Sequence, residues 1–481
     1  MAARFQFDDF GGIEDVALGV RWSNAQFASE VALRADRLAA AGIGAGSTLI
    51  IAHTGTAHFF ADLFAVWRLG TTAAVLPEGL TAGEFGLLVD FVRPAAVLID
   101  RPVSGVSFDV PILHLATEPR APAAAAEAEI DPRRAALVLF TSGTTGHPKG
   151  VVLSFGAVTT RIALNAQQIG PACRGRTLVT LPTSFGHGLI GNALTPLLSG
   201  GDIVLHPLGL PLAQNLGRVV DQYRISFMSS VPAFWRLALK FADPPAGPTL
   251  ARVHVGSAPL PADLWRAIGD WSRAEVVNCY GVTELANWVA GASSRVEGIA
   301  DGLVGRLWGG EAAIRDSVGA IRAAGEGELV VKSPSMMSGY LHRPDLTDAA
   351  PIDGWYRTGD TATIDARGLI TLSGRIKDEI NRAGFKVQPA EIDALLETHP
   401  AVHEACTFGI ADPVSGEIVA AGVQLAPGAN ITAASLADWC RDRLRREAVP
   451  ERWFMVDKLP RNERGKISRD MVRRALTEDK R

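Results

Sequence analysis

The sequence is poor in cysteine, in net charge and in long apolar runs. Its four cysteines, Cys173, Cys279, Cys406 and Cys440, stand apart with no CxxC spacing. That pattern argues against a disulfide frame or a zinc site and suits core thiols in a reducing compartment. Lys and Arg total 47 against 51 Asp and Glu, a net charge of −4. Nucleic-acid binding needs a basic excess to displace counterions, and none is present. The most apolar early stretch, Phe59 to Leu76, is interrupted by Asp62 and Arg68, and no run approaches the ~18 residues that span a bilayer. Asp8 and Asp9 sit where a signal peptide would carry its apolar segment. His399 and His403 have the i,i+4 spacing of a helical metal pair, but Pro400 between them breaks a regular helix. The expectation is a soluble, cytoplasmic protein with no nucleic-acid partner and no membrane span.

Core-forming material is abundant. The chain has 481 residues, 47% of them hydrophobic and 20% charged, which excludes a disordered polymer. Its length suits about three domains, or fewer if one is large. Early on, two periodicities alternate. Phe27, Val31, Ala35 and Leu38 fall at helical spacing between a Ser23 or Asn24 cap and Gly42. A β-rich run from Ser47 to His53 follows, then an apolar helix through Phe60, Phe64 and Trp67, closed by Gly70. Thr72 to Leu76 and Ala95 to Asp100 read as strands around a helix through Phe85, Leu88 and Phe91. Strand–helix alternation with short glycine turns predicts a parallel sheet with covered faces. Residues 118–134, rich in Ala and Pro, read as a surface connection.

The pattern changes near Gly325. Short strands with glycine turns, GELVVKSP and then GWYRTGDTATIDARGLITLSGR, predict antiparallel hairpins. Beyond Arg375 an α+β stretch follows: a helix from Pro389 to Glu397, strands near Cys406–Ile410 and Val419–Leu425, and a basic helix in LADWCRDRLRREAV. A domain boundary is expected near residues 374–377.

The segment LVLFTSGTTGHPKGVVLS, residues 137–154, carries the strongest chemical signal. An apolar strand, Leu137 to Phe140, runs into a loop rich in hydroxyls and glycine. Thr141, Ser142, Thr144 and Thr145, with backbone amides freed at Gly143 and Gly146, can surround phosphate oxygens, and Lys149 adds a positive charge. The order is not that of a Walker A loop.

With this loop the sequence resembles the adenylate-forming superfamily: acyl-CoA synthetases, peptide-synthetase adenylation domains and luciferases. Further motifs arrive in that family's order. They are Asn278-Cys-Tyr-Gly-Val-Thr-Glu284, Gly354-Trp-Tyr-Arg-Thr-Gly-Asp360, Gly374-Arg-Ile-Lys-Asp378 and Pro460-Arg-Asn-Glu-Arg-Gly-Lys-Ile-Ser-Arg469. The resemblance spans nearly the whole chain. It implies an α/β fold with a large N-terminal domain, residues 1–374, of packed mixed and parallel sheets with helices and a small β-barrel-like part. A small, mobile α+β C-terminal domain, residues 375–481, would carry the catalytic lysine.

The resemblance also implies roles. Thr283 would hold the α-phosphate of ATP and Glu284 would bind Mg²⁺. Tyr280 would stack on adenine, with Asn278 and Gly281 in the same motif. Val253 to Pro259, including Gly256, Ser257, Ala258 and Pro259, would supply the backbone edge around the base. Asp360 would accept the ribose hydroxyls and Arg375 would contact the same region. Lys466 would reach the acyl carboxylate and α-phosphate during adenylation only. Lys377 stands at the hinge, where many relatives have Asp and some have Lys. Gly384 is either a turn glycine or the lining of a tunnel for the thiol acceptor.

The acid would lie between the segment after strand Thr177–Leu181 and the Tyr280 motif. That segment, PTSFGHGLIGNALTPLLSGG (182–201), contains no Asp, Glu, Lys or Arg. An amino-acid substrate, whose ammonium would be buried unpaired, is disfavoured. A dicarboxylate is likewise weakened. Phe185, His187, Gly188, Leu189 and Trp288 suggest an apolar pocket for an aliphatic or aromatic acid. His187 reads equally as a core histidine bonded to backbone or as a gating or substrate contact, and Trp288 as core or pocket. Arg306-Leu-Trp-Gly-Gly310 departs from the Pro-Gly pair common in relatives. A basic helix from Arg441 to Arg446 is either a solvated face or a contact for the 3′-phosphate of CoA or for an acidic carrier protein.

The reading is an ATP- and Mg²⁺-dependent acid–thiol ligase. It would form an acyl-AMP from a small carboxylic acid and transfer the acyl group to CoA. The alternative acceptor is the phosphopantetheine of a separate carrier protein. A luciferase-like oxidation and a non-enzymatic nucleotide-binding module are the more distant readings. A homodimer is left open.

Overall fold

The computed structural model describes residues 10–100, 109–116, 130–141, 149–382, 385–412, 415–461 and 467–477. They form two compact units, Met1–Ala312 with Val331–Tyr356, and Ala313–Val330 with Arg357–Arg481.

Local sequence sets the helices of the first unit. Ser23 and Gln26 close a capping box on the helix Asn24–Ala40, whose Phe27, Val31, Ala35 and Leu38 are buried at the expected spacing. Helix Ala57–Arg68 is buried on almost every side. That explains why its sequence is a continuous apolar stretch rather than a stripe. Asp62 is tolerated inside it because Arg34 Nη1 lies 2.5 Å from Oδ1 and His53 Nε2 lies 2.9 Å from Oδ2.

The alternation read in the first hundred residues builds a seven-stranded sheet. Its order is Gly339–Tyr340, Lys149–Ser154, Ala135–Thr141, Thr72–Val75, Thr48–Ile51, Ala96–Leu98 and Ile112–Leu113. Neighbours from Ala135–Thr141 onward pair in parallel, as predicted. Ala135–Thr141 and Lys149–Ser154 form an antiparallel hairpin that sets Thr141 opposite Lys149. A second sheet of this unit runs Leu303–Leu307, Asn287–Ser293, Glu275–Val282, Arg252–Val255, Phe227–Ser230, Arg176–Val179, Asp202–Leu205, Ile13–Asp15 and Val20–Trp22. Its middle strands, from Glu275–Val282 to Ile13–Asp15, are parallel. Most of the predicted connection 118–134 lies outside the described residues.

In the second unit the predicted hairpin forms, with Trp355–Ile364 antiparallel to Ile370–Arg375. Gly416–Leu425 pairs antiparallel with Val402–Asp412 and with Ile380–Arg382, and parallel with Arg452–Val456. The helix Pro389–Glu397 falls where the sequence placed it. The basic helix does not. The helix Ala433–Arg441 stops at Arg441, and only a short 3₁₀ turn, Arg446–Ala448, follows. Leu436, Ala437 and Cys440 bury one face, and Leu444 continues that spacing and packs on the same core although the helix has already ended.

No helix among the described residues is long and apolar enough to cross a membrane. Among the described residues no cluster of three or more His, Cys, Asp or Glu could hold a metal ion, the His399–His403 pair included.

Candidate active site

In parallel α/β sheets ligands gather at the carboxyl ends of the strands. Here three adjacent parallel strands, Phe227–Ser230, Arg252–Val255 and Glu275–Val282, deliver Ser229, Gly256–Pro259 and Asn278–Glu284 to one edge. Gly256 lets two backbones approach, since a Cβ there would lie 2.9 Å from the Cys279 carbonyl oxygen. Ser257, Ala258 and Pro259 are exposed beyond it. Asn278 is buried and donates through Nδ2 to the Leu303 carbonyl at 2.8 Å, a structural use of that side chain. Tyr280 is buried.

The strand bulges at Tyr280 and Gly281, and a Cβ on Gly281 would sit 2.0 Å from the Asn287 carbonyl oxygen. A 3₁₀ turn, Thr283–Leu285, follows. Ala286 and Asn287, at φ 59° and 94°, then reverse the chain. The left-handed pair is a costly conformation for residues with a Cβ and marks a turn that the surroundings must hold.

Glu284 does not stand alone in that turn. The Tyr340 hydroxyl donates to Glu284 Oε1 at 2.8 Å, and the Met337 N–H donates to the Glu284 carbonyl at 2.7 Å. Lys149 Nζ lies 5.9 Å from the centre of the Tyr340 ring. Burial, and then the charge of Glu284, raise Tyr340 above the ordinary tyrosine range, so it remains a donor. Tyr356 hydrogen-bonds Tyr340 in turn. Sequence reasoning missed Tyr340. The signal was scarcity: the chain has four tyrosines, and Tyr340 and Tyr280 both bear on Tyr356. Thr141, Lys149, Glu284 and Tyr340 thus belong to one neighbourhood. Ser142, Gly143, Thr144, Thr145 and Gly146 lie outside the described residues. Glu284 and Thr283 offer the oxygen-only donors that a hard divalent cation prefers, so these residues fit Mg²⁺.

The segment after strand Arg176–Val179 forms a π-helical turn, His187–Leu194, buried throughout. Such turns recur at functional sites. Gly188 packs against backbone, its Cβ position lying 2.0 Å from the Pro182 carbonyl oxygen. His187 meets two serine hydroxyls. Its Nδ1 lies 2.7 Å from Ser257 Oγ and its Nε2 lies 2.7 Å from Ser229 Oγ. Trp288 is 2% exposed. It meets His187 edge-on at 5.1 Å between ring centres, His254 at 4.8 Å and Trp308 at 6.5 Å. Trp288 is therefore a core residue that also packs on His187. Burial drives His254 well below its ordinary range, leaving it neutral. Phe185 is half-buried.

In the second unit the hairpin register sets Asp360 opposite Arg375, and Arg375 Nε lies 2.8 Å from Asp360 Oδ1. The sequence treats these as two separate contacts, whereas the structure makes them an ion pair with a buried carboxylate and an exposed guanidinium. Lys377 is exposed in a 3₁₀ turn, Ile376–Asp378. Gly384 and Lys466 lie outside the described residues. Beside the lysine, Arg461 bridges to Ile467 and pairs with Glu404, and Arg469 pairs with Asp393 at 2.5 Å.

Residues 10–341 match the AMP-binding enzyme family, and residues 391–466 match the C-terminal domain of AMP-binding enzymes. The chain is 31% identical over 482 residues to a feruloyl-CoA synthase of Amycolatopsis, covering 95% of this chain and 94% of that protein. A probable CoA ligase, CCL9, of Humulus lupulus is 29% identical, with 91% and 88% covered. Among solved structures it is similar to o-succinylbenzoate coenzyme A synthetase of Bacillus subtilis in complex with ATP and magnesium ion. That match has a TM-score of 0.86 and 25% identity, with 97% of each chain covered. ATP-bound MatB of Rhodopseudomonas palustris also gives a TM-score of 0.86 at 25% identity, covering 100% of this chain and 99% of that one. The chain belongs to the AMP-binding enzyme family and is an AMP-forming acid–thiol ligase of the acyl-CoA synthetase kind.

Proposed function

We propose that the acid is apolar, aliphatic or aromatic, and that the acyl group passes from its adenylate to the thiol of CoA. What supports the acid class is the residue set Phe185, His187, Gly188 and Trp288. That set contains no Asp, Glu, Lys or Arg, and neither does the whole segment 182–201. A second charge on the acid would meet no counter-charge there.

A carboxylate is already ionised at neutral pH and needs no general base to attack phosphorus. Its oxygen bonds to the α-phosphorus of ATP while the bond to the bridging oxygen breaks and pyrophosphate leaves. The thiol sulfur then bonds to the acyl carbonyl carbon and AMP departs. What the protein supplies is charge neutralisation and alignment. Thr283 holds the α-phosphate, Tyr280 stacks on adenine against the Gly256–Pro259 backbone, and Asp360 accepts the ribose hydroxyls beside Arg375. The loop from Thr141 to Lys149, with Ser142, Gly143, Thr144, Thr145 and Gly146, takes the β- and γ-phosphates. Glu284 would hold the Mg²⁺ that accompanies ATP, whose charge would offset that of the phosphates. Lys466 neutralises the acyl carboxylate and α-phosphate during adenylation only. Lys377 marks the boundary, near residues 374–377, at which the C-terminal part turns between half-reactions, and Gly384 then lines the thiol path.

The test is a panel of free acids with ATP, Mg²⁺ and hydroxylamine, followed by CoA or a holo-carrier protein, with hydroxamate and thioester scored separately. Apolar acids giving hydroxamate, and thioester with free CoA, support the reading. Thioester on carrier protein alone, or hydroxamate from charged acids only, refutes it.

A further inference from the structure

Arg161 lies on the helix Phe155–Ile169 and is wholly buried. A guanidinium in such a place is ordinarily matched by a carboxylate, because an unpaired buried charge is expensive. Among the described residues, none matches it. Its Nε and Nη2 donate to Ser335 Oγ at 3.0 and 2.7 Å, Nη2 donates to Ser333 Oγ at 2.9 Å, and Nη1 donates to the Trp308 carbonyl at 2.9 Å. Burial pushes the guanidinium down to about 10, which still leaves it charged at neutral pH.

These partners converge on one place. Ser335 Oγ donates its own proton to the carbonyl of Leu285 at 2.8 Å, the residue that follows Glu284. Two residues on, the Met337 N–H holds the Glu284 carbonyl, and Tyr340 holds its carboxylate. Segment 333–340 therefore backs the Thr283–Leu285 turn at three points, and Arg161 anchors its first residues. A serine hydroxyl has one proton to give. With arginine N–H groups on its acceptor side, that proton is directed to Leu285. Charge-assisted donors are shorter and stronger than neutral ones, and they polarise the next bond in the series. The adjoining left-handed residues, Ala286 and Asn287, give this turn a reason to need such an anchor.

The geometry points to Arg161 as a positioning residue: through Ser335 and the Leu285 carbonyl it fixes the Glu284 turn in the form that receives the divalent cation accompanying ATP. The inference rests on the reading of Glu284 as the Mg²⁺ carboxylate. A purely structural clamp would lower stability when lost, but would leave the affinity for the cation–nucleotide pair unchanged relative to nucleotide alone.

Calorimetry of ATP binding to the full-length protein, with Mg²⁺ and with EDTA, separates the two roles. The set is wild type, Arg161→Met, Arg161→Lys and Ser335→Ala, each with a thermal melt. Arg161→Met and Ser335→Ala are expected to lose about tenfold or more of the Mg²⁺-linked gain in affinity, with Mg²⁺-free ATP affinity changed by less than about twofold. Arg161→Lys, which keeps the charge but not the planar fork, should retain part of the gain. Lower melting temperatures with an unchanged Mg²⁺-linked gain overturn the proposal. Should Arg161→Met fail to fold, Ser335→Ala carries the same test, because it removes the hydroxyl that joins Arg161 to the Leu285 carbonyl. A wild type with no Mg²⁺-linked gain sinks the Glu284 reading itself and the role of Arg161 with it.

Discussion

Tyr340 donates its hydroxyl to Glu284 across 2.8 Å, a pairing between residues 56 apart in the sequence. It gives the candidate Mg²⁺ carboxylate a fixed orientation before any ligand arrives. Tyr340→Phe removes one hydrogen bond to a charged group, worth about 1.5–3 kcal/mol. Acid-dependent AMP formation should fall roughly 10- to 100-fold in kcat/KM, with melting temperature little changed. Burial and the Glu284 charge raise Tyr340, so its protonated form persists up to and beyond the ordinary value of about 10. The difference between wild type and variant should stay constant from neutral pH up to that value. A gap that closes earlier would contradict the assignment.

In its proposed place beside the acid, Trp288 would set the size of the acid accepted. It fills the space beside His187 and packs on His254 and Trp308. Shortening it to Ala or Leu should move the preference toward longer or bulkier acids, by about tenfold in relative kcat/KM. Trp→Ala in a core also costs about 3–5 kcal/mol, so the Leu variant is the gentler probe. A kinetic series over acid length checks this, and an unchanged profile in both variants counts against Trp288 as the limit.

Gly281 and Gly83 make a matched pair for stability. A Cβ at Gly281 would meet the Asn287 carbonyl oxygen at 2.0 Å, whereas a Cβ at Gly83 meets nothing within 4 Å. Gly281→Ala should destabilise by about 1–3 kcal/mol or more, because backbone must move and Tyr280 moves with it. Gly83→Ala, on the exposed face of helix Ala82–Val92, should stabilise by about 0.4–1 kcal/mol. Chemical denaturation of both variants is the check.

Lys466→Ala should separate the half-reactions. Loss of its charge is expected to slow acyl-adenylate formation by more than about a hundredfold, while thioester formation from supplied adenylate is spared. Equal loss in both would remove Lys466 from its proposed role.

Elements specified locally were legible in the sequence. Ser23 and the spacing from Phe27 to Leu38 fix the first helix, and Pro389 opens the helix Pro389–Glu397 at its first residue. The parallel sheet followed from alternating periods. The basic helix was overread because the apolar spacing runs on through Leu444, whereas the helix itself stops at Arg441. Site features built from distant partners could not be read at all. His187 meets hydroxyls 42 and 70 residues away, and Arg161 meets Ser335 at a separation of 174. The Asp360–Arg375 pair needed the hairpin register, which turn spacing alone leaves open.

The most direct measurement is exchange of labelled pyrophosphate into ATP, with Mg²⁺ and an apolar carboxylic acid present and every thiol acceptor left out. Label should enter ATP only when the acid is added, because adenylation reverses on the enzyme. Label that stays out of ATP for every acid tried, or that enters without one, would contradict activation of a carboxylate as its adenylate.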